Sequence, residues 1–251
     1  MNNLALKELL YKIADDQLIL GHRNSEWTGF GPLLEEDIAF SSMAQDKIGQ
    51  SLAMYQILQR LGEAPPDTVA FSRHANQFHN CIFVELPNGE YDFSLVRHFL
   101  FDTAESIRFE LLAKSTYQPL AELSAKICSE VRYHTLHANT WIRQLGSATK
   151  ESISRLQGSL LSALPYALGI FEASPFEHEL IETGIFPGEQ IVMSRWKQRV
   201  EEILQTTELH LPAWNTLQAV AGGRVGKHSH HLQPLLDEMS EVLRIDPTTE
   251  W

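Results

Sequence analysis

Two four-residue runs carry half of a metal-binding pattern. A pair of metal ions inside a helical bundle is held by Glu-x-x-His on each of two helices. The carboxylate supplies a hard oxygen donor, and the imidazole three residues on projects from the same helix face. Asp46-Lys47-Ile48-Gly49 and Glu130-Val131-Arg132-Tyr133 keep the acid and replace the imidazole by Gly and Tyr. Gly49 has no side chain to donate. Tyr133 could ligate only as a phenolate, and His134 falls one residue late, about 100° around a helix. Asp16 lies thirty residues before Asp46, and Asp102 twenty-eight before Glu130, with Glu105 sharing the face of Asp102. Four acids without the two nitrogens fall short of the roughly six ligands of such a site. The expectation is therefore no metal and no catalytic residue in this chain. Acids near apolar faces then need cations or hydrogen-bond donors. Lys47, Arg97, Arg108, Arg132 and His134 are the candidates for a polar network in the place of metal.

The elements that must position these residues are helical almost throughout. Residues 4–23 repeat Leu6, Leu9, Ile13 and Leu20 at helical spacing, and Asp16 falls on that stripe. A Gly- and Pro-broken loop precedes a second helix over about 33–61, where Glu35, Glu36 and Asp37 suit the positive end of the dipole. Ala39, Met43, Asp46, Gly49 and Ala53 line one of its faces, so close approach of a neighbouring helix is expected at Gly49. Residues 67–91 are the least helical. CIFVEL followed by PNG suggests a short strand or extended loop, with a two-stranded hairpin as one form. Helices follow over about 92–115, 118–145 and 149–172, the last with a kink expected at Pro165, then over about 188–205 and 232–244. SPFE and FPGEQ are connections, and LHLPAW is extended. Two helix pairs, each with an acid followed by an acid-bearing motif, follow the plan of a ferritin-like four-helix bundle. The predicted fold is all-α, one domain over residues 1–251. Its core bundle covers about 4–146, extra C-terminal helices and a loop cover about 149–244, and a short extended segment lies near 78–91.

Composition narrows the function classes. The chain has 251 residues and a net charge of −12, a sign that repels nucleic acid and anionic membrane. No apolar run approaches the ~18 residues of a membrane span. The N-terminal residues lack a signal-peptide plan, so a cytoplasmic location is expected. Cys81 and Cys128 are far apart and are expected to be buried free thiols. GxSxG and GxGxxG are absent, which removes the usual support for hydrolase and dinucleotide-binding readings. Arg224 and Lys227, among Gly222, Gly223 and Gly226, could hold an anion such as a CoA phosphate through backbone N–H groups. His228, His230 and His231 are expected on that surface loop, and His74, His79 and His137 show no pairing motif.

Four runs resemble a known family in order along nearly the whole chain: LGHRNSEWTGFGPLLEEDIAFSSMAQDKIGQS, FVELPNGEYDFSLVRHFLFDTAES, SEVRYHTLHANTWIRQLG and GGRVGKHSHHLQPLLDEM. They resemble the C-subunit family of phenylacetyl-CoA epoxidase, also called ring 1,2-phenylacetyl-CoA oxygenase. That family carries a similar NSEW or GEW loop, a QPNG-like turn and an EVxYH run. The resemblance implies a non-catalytic structural subunit of a multicomponent monooxygenase in aerobic phenylacetate breakdown. A homologous catalytic subunit would hold the di-iron centre and bind phenylacetyl-CoA, with other small subunits and a flavin and iron–sulfur reductase drawing on NADPH. The isolated chain could form a homodimer. Asp46 with Gly49, and Glu130 with Tyr133, match the family's degenerate pattern. The SHH run departs from the Thr-Glu-His type expected there, which puts any role of that loop in doubt. A free-standing di-iron carboxylate oxygenase with atypical ligands is the competing reading.

Overall fold

Apolar side chains recurring at helical spacing set the long elements, and short turns set the rest. The computed structural model describes residues 3–246, and among them every regular element is helical. In chain order these are α1 (Asn3–Ser25), α2 (Leu34–Arg60), α3 (Pro66–Phe71), α4 (Ile82–Glu85), α5 (Tyr91–Leu112) and α6 (Gln118–Leu145). Then come α7 (Lys150–Leu168), α8 (Glu177–Glu182), α9 (Glu189–Leu204), α10 (Leu232–Met239) and α11 (Glu241–Ile245). The fold is all-α, consistent with a ferritin-like helical bundle. Among the described residues no helix is long and apolar enough to cross a membrane.

Local chemistry explains the boundaries. Glu35, Glu36 and Asp37 occupy the first turn of α2, where exposed N–H groups favour negative charge. Pro119 opens α6, where a missing N–H costs nothing, and Gly146 follows its last residue. Thr149 caps α7 by accepting from Ser152 N at 3.1 Å, while its own N–H donates to Ser152 Oγ at 3.1 Å. The helix runs on through Pro165 to Leu168.

Three expectations are corrected. The 78–91 segment contains no strand and no hairpin; Ile82–Glu85 close a helical turn, because all four side chains are buried and tertiary packing overrides β-propensity. The connection after SPFE carries a helix of its own, α8, and the C-terminal helix is two short ones, α10 and α11. Gly49 is not a close-packing point within the chain: a Cβ built there meets nothing within 4 Å. The close approach of α1 to α2 lies at Gly21, where a Cβ would stand 2.8 Å from Ile48 Cγ1 and 3.3 Å from the Ala44 carbonyl oxygen.

The chain divides into two compact units. The first takes residues up to Pro87 and from Gly222 onward; the second is the continuous stretch Asn88–Ala221. The seams thus fall at 87/88 and 221/222, whereas the expected division of core from extra helices falls near 146. In the first unit α1 packs along α2, with α3 and α4 against them. Residues of α1 are buried on almost every side, including Leu6, Leu10, Ile13 and Ile19. In the second unit α5 is the central helix, packed by α6, α7 and α9. Trp196 of α9 is fully buried and donates from Nε1 to the Leu100 carbonyl at 2.8 Å. The two glycines of α2 and α1 therefore respond oppositely to substitution. Gly49→Ala should stabilise the chain by about 0.5–1 kcal/mol through helix propensity. Gly21→Val should destabilise it by about 1–3 kcal/mol through overpacking. Urea unfolding of both variants measures the two signs.

Candidate functional site

The four carboxylate positions and their would-be nitrogen partners divide between the units. In the first unit, Asp16 sits on the buried stripe of α1 and is fully enclosed. Its carboxylate accepts two parallel bonds from one guanidinium: Arg224 Nη1 to Oδ1 at 2.8 Å and Nη2 to Oδ2 at 2.7 Å. The Cys81 amide adds a third at 2.7 Å. Arg224 Nη1 also reaches the carbonyls of Lys12 at 3.1 Å and His79 at 2.9 Å. Arg224 is therefore an internal cation, and the anion it holds is Asp16 rather than a phosphate. Lys227, its companion in the expected anion loop, is exposed. The glycines around Arg224 serve insertion. Gly226 has the left-handed φ of +76°, and a Cβ at Gly223 would overlap the Asn80 carbonyl oxygen. The His228 side chain, expected on the surface, is buried instead. Its Nδ1 lies 2.6 Å from Glu85 Oε1 and its Nε2 lies 3.0 Å from the Phe78 carbonyl. Glu85 also accepts from Ser229 N at 2.8 Å and Asn80 Nδ2 at 2.9 Å.

Asp46 is half-buried on α2 and Gly49 is exposed. Lys47 between them is fully buried, with Nζ 3.3 Å from Gln17 Oε1 of α1. Asp15, next to Asp16, has its own cation. Arg73 donates to its two oxygens at 2.6 and 3.0 Å, Tyr55 Oη donates at 2.5 Å, and the His79 amide at 2.7 Å. Burial alone would lift the Asp15 carboxyl, but the Arg73 charge and these donors hold it below the usual carboxylate range. Burial and the charge of Asp16 together push the Cys81 thiol up, away from thiolate chemistry.

In the second unit, Asp102 and Glu105 are both fully buried on α5. Glu105 pairs with Arg108 one turn on, and Arg108 also donates to Glu189 Oε2 of α9 at 2.8 Å. Asp102 accepts from His98 Nδ1, one turn earlier, while His134 Nδ1 of α6 stands 3.7 Å from its other oxygen. His137 lies near His98 at a ring-centre distance of 5.4 Å. Burial, with the imidazoles of His137 and His134 beside it, outweighs the Asp102 charge and lowers His98 to a pKa of about 4. Glu130 is half-buried and Tyr133 is exposed on α6, with the Tyr133 ring 6.3 Å from that of His134. Of the candidate counter-cations, Arg108 and His134 meet acids of the pattern. Arg97 instead bonds the Asn88 side chain, and Arg132 is exposed.

Gly49 offers no donor, Tyr133 faces outward, and guanidinium groups occupy the oxygens of Asp16 and Glu105. Among the described residues no three His, Cys, Asp or Glu side chains converge so as to hold a metal ion. The model of the phenylacetic acid catabolic protein family matches residues 1–251. The chain belongs to that family. It is also similar to the C-subunit of 1,2-phenylacetyl-CoA epoxidase from Escherichia coli (strain K12), with 31% identity over 252 residues that cover 100% of both chains. In this member of the phenylacetic acid catabolic proteins, Asp16 and Glu105 are each ion-paired with an arginine of the same chain.

The residues that sequence reasoning missed are Arg224 as partner of Asp16, the Asp15–Arg73 pair, His98 and Glu189. Only His98 left a signal, as His98 and Asp102 are four apart on a predicted helix. Two outcomes follow. Arg224→Met leaves Asp16 buried and unpaired and should cost about 3–5 kcal/mol in urea unfolding. His98 is neutral when folded and takes its proton only near pH 4, against an ordinary value of 6.5. The unfolded chain protonates first as pH falls, so stability from this group is intact above about 6.5 and declines toward 4, by on the order of 3 kcal/mol. Urea midpoints across that window, compared with His98→Asn, should show a shallower decline in the variant.

Proposed function

We propose that this chain is a non-catalytic structural subunit of a multicomponent di-iron monooxygenase. The complex would epoxidise the ring of phenylacetyl-CoA in aerobic phenylacetate catabolism, and this chain would support the homologous catalytic subunit that holds the irons. One observation carries the reading. Two acids at metal-ligand positions, Asp16 and Glu105, are ion-paired with Arg224 and Arg108, and the two motif positions that lost imidazole, Gly49 and Tyr133, face outward. A guanidinium supplies the positive charge that iron would supply, without redox chemistry or an open coordination position. The similarity to an epoxidase C-subunit over the full length supports the same role. No cofactor is assigned to this chain.

The decisive experiment is co-expression with the homologous catalytic subunit. The two chains should co-purify at fixed stoichiometry, with iron following the partner. The isolated chain, incubated anaerobically with ferrous iron and desalted, should retain far less than one iron per chain and show no turnover of phenylacetyl-CoA. Stoichiometric iron with turnover by the chain alone would falsify the proposal.

A further inference from the structure

Resting on that structural-subunit reading, we infer that the outward face of α2 is the surface that docks the catalytic subunit. Its occupant is a helix with an apolar stripe flanked by lysines or arginines. Leu34, Ile38, Gln45, Ile48, Gly49 and Leu52 recur every three or four positions and share one face of α2. Leu34 is 72% exposed, Ile38 60%, Leu52 43%, and Phe30 just before the helix 79%, while Ile48, 37% exposed, borders the contact with α1 at Gly21. The remaining residues in the sector are uncharged. On a helix of about 100° per residue, Asp37 falls about 60° to one side of Leu34, with Glu35 and Asp46 about 100–120° to the other. Acids therefore edge the stripe on both sides. Of the two cations of α2, Lys47 is buried, and Arg60 falls on the Glu35 side but in the last turn, two turns beyond Leu52.

Gly49 is the second observation. A glycine inside a helix is unfavourable, yet nothing within this chain needs one here, since its Cβ would meet open space. Midway along the helix, at one edge of this apolar stripe, its absent side chain lets a partner helix come close. The charge pattern selects the partner. A second copy of this chain would set Glu35, Asp37 and Asp46 against their own kind, and each copy carries −12 overall. A partner with basic flanks gains from the same edges.

Capture of the co-expressed catalytic subunit on the tagged chain tests the assignment. Gly49→Arg and Ile38→Glu should each lower the recovered catalytic subunit about tenfold or more. Both should keep the circular dichroism and unfolding cooperativity of the parent, because both positions face open space. Leu161→Glu, an exposed apolar position of α7, should leave recovery unchanged. Lysine at both 35 and 46 should also weaken capture; stronger capture would overturn the assigned basic flank. If the parent chain captures no catalytic subunit, the structural-subunit reading fails and the docking face with it. If the parent and both variants capture equally, the docking face is wrong while the reading stands. A homodimer of the isolated chain that Gly49→Arg disperses would assign the face to a second copy and overturn the proposal.

Discussion

A carboxylate removed from water must be given positive charge or hydrogen-bond donors, and the interior of this chain is organised around that requirement. Asp15, Asp16, Glu85, Asp102, Glu105 and Glu189 are all buried, and each has such a partner. Several of the pairings are long-range in sequence. Arg73 reaches Asp15 from 58 residues away, Glu189 is 81 from Arg108, and Arg224 is 208 from Asp16. Desolvation makes each acid costly alone, so each of these long-range pairs fixes where two distant segments meet. The acids thus act as registration points inside otherwise apolar packing.

Both units solve this problem with arginine and histidine. The first uses guanidinium forks, Arg224 on Asp16 and Arg73 on Asp15, which match a carboxylate edge to edge and stay charged at any pH a cell meets, and an imidazole, His228, beside Glu85. The second uses both kinds of partner. Arg108 is shared between Glu105 and Glu189, whereas Asp102 is served by His98 with His134 nearby. An imidazole is neutral or charged according to its surroundings, and burial keeps that of His98 neutral.

Much of the helical frame is legible in the sequence because period and punctuation agree. The stripe of α6, bounded by Pro119 and Gly146, is the clearest case. The turn at Ile82–Glu85 is not, because β-branched and aromatic residues pack equally well on a buried helical turn. Gly49 misleads for a related reason: periodicity shows which residues share a face, and not whether that face meets its own chain or solvent. The pattern of acids is visible as residue types. Its replacement partners are not, since nothing local ties Asp16 to an arginine near the other end of the chain. The glycines around Arg224 stand out, but a loop shaped to cradle an outside anion and one shaped to thrust an arginine inward share the same composition.

The Asp16–Arg224 pair has a consequence for biosynthesis. Asp16 leaves the ribosome early, and its counter-ion follows 208 residues later, after the whole of the continuous second unit. At about 5–20 residues per second, the nascent first helix waits on the order of 10–40 s for the arginine that makes its burial favourable. Until then its acid belongs in water. The middle of the polypeptide can thus mature before its own beginning, and α1 is left as the stretch a holdase would most usefully cover.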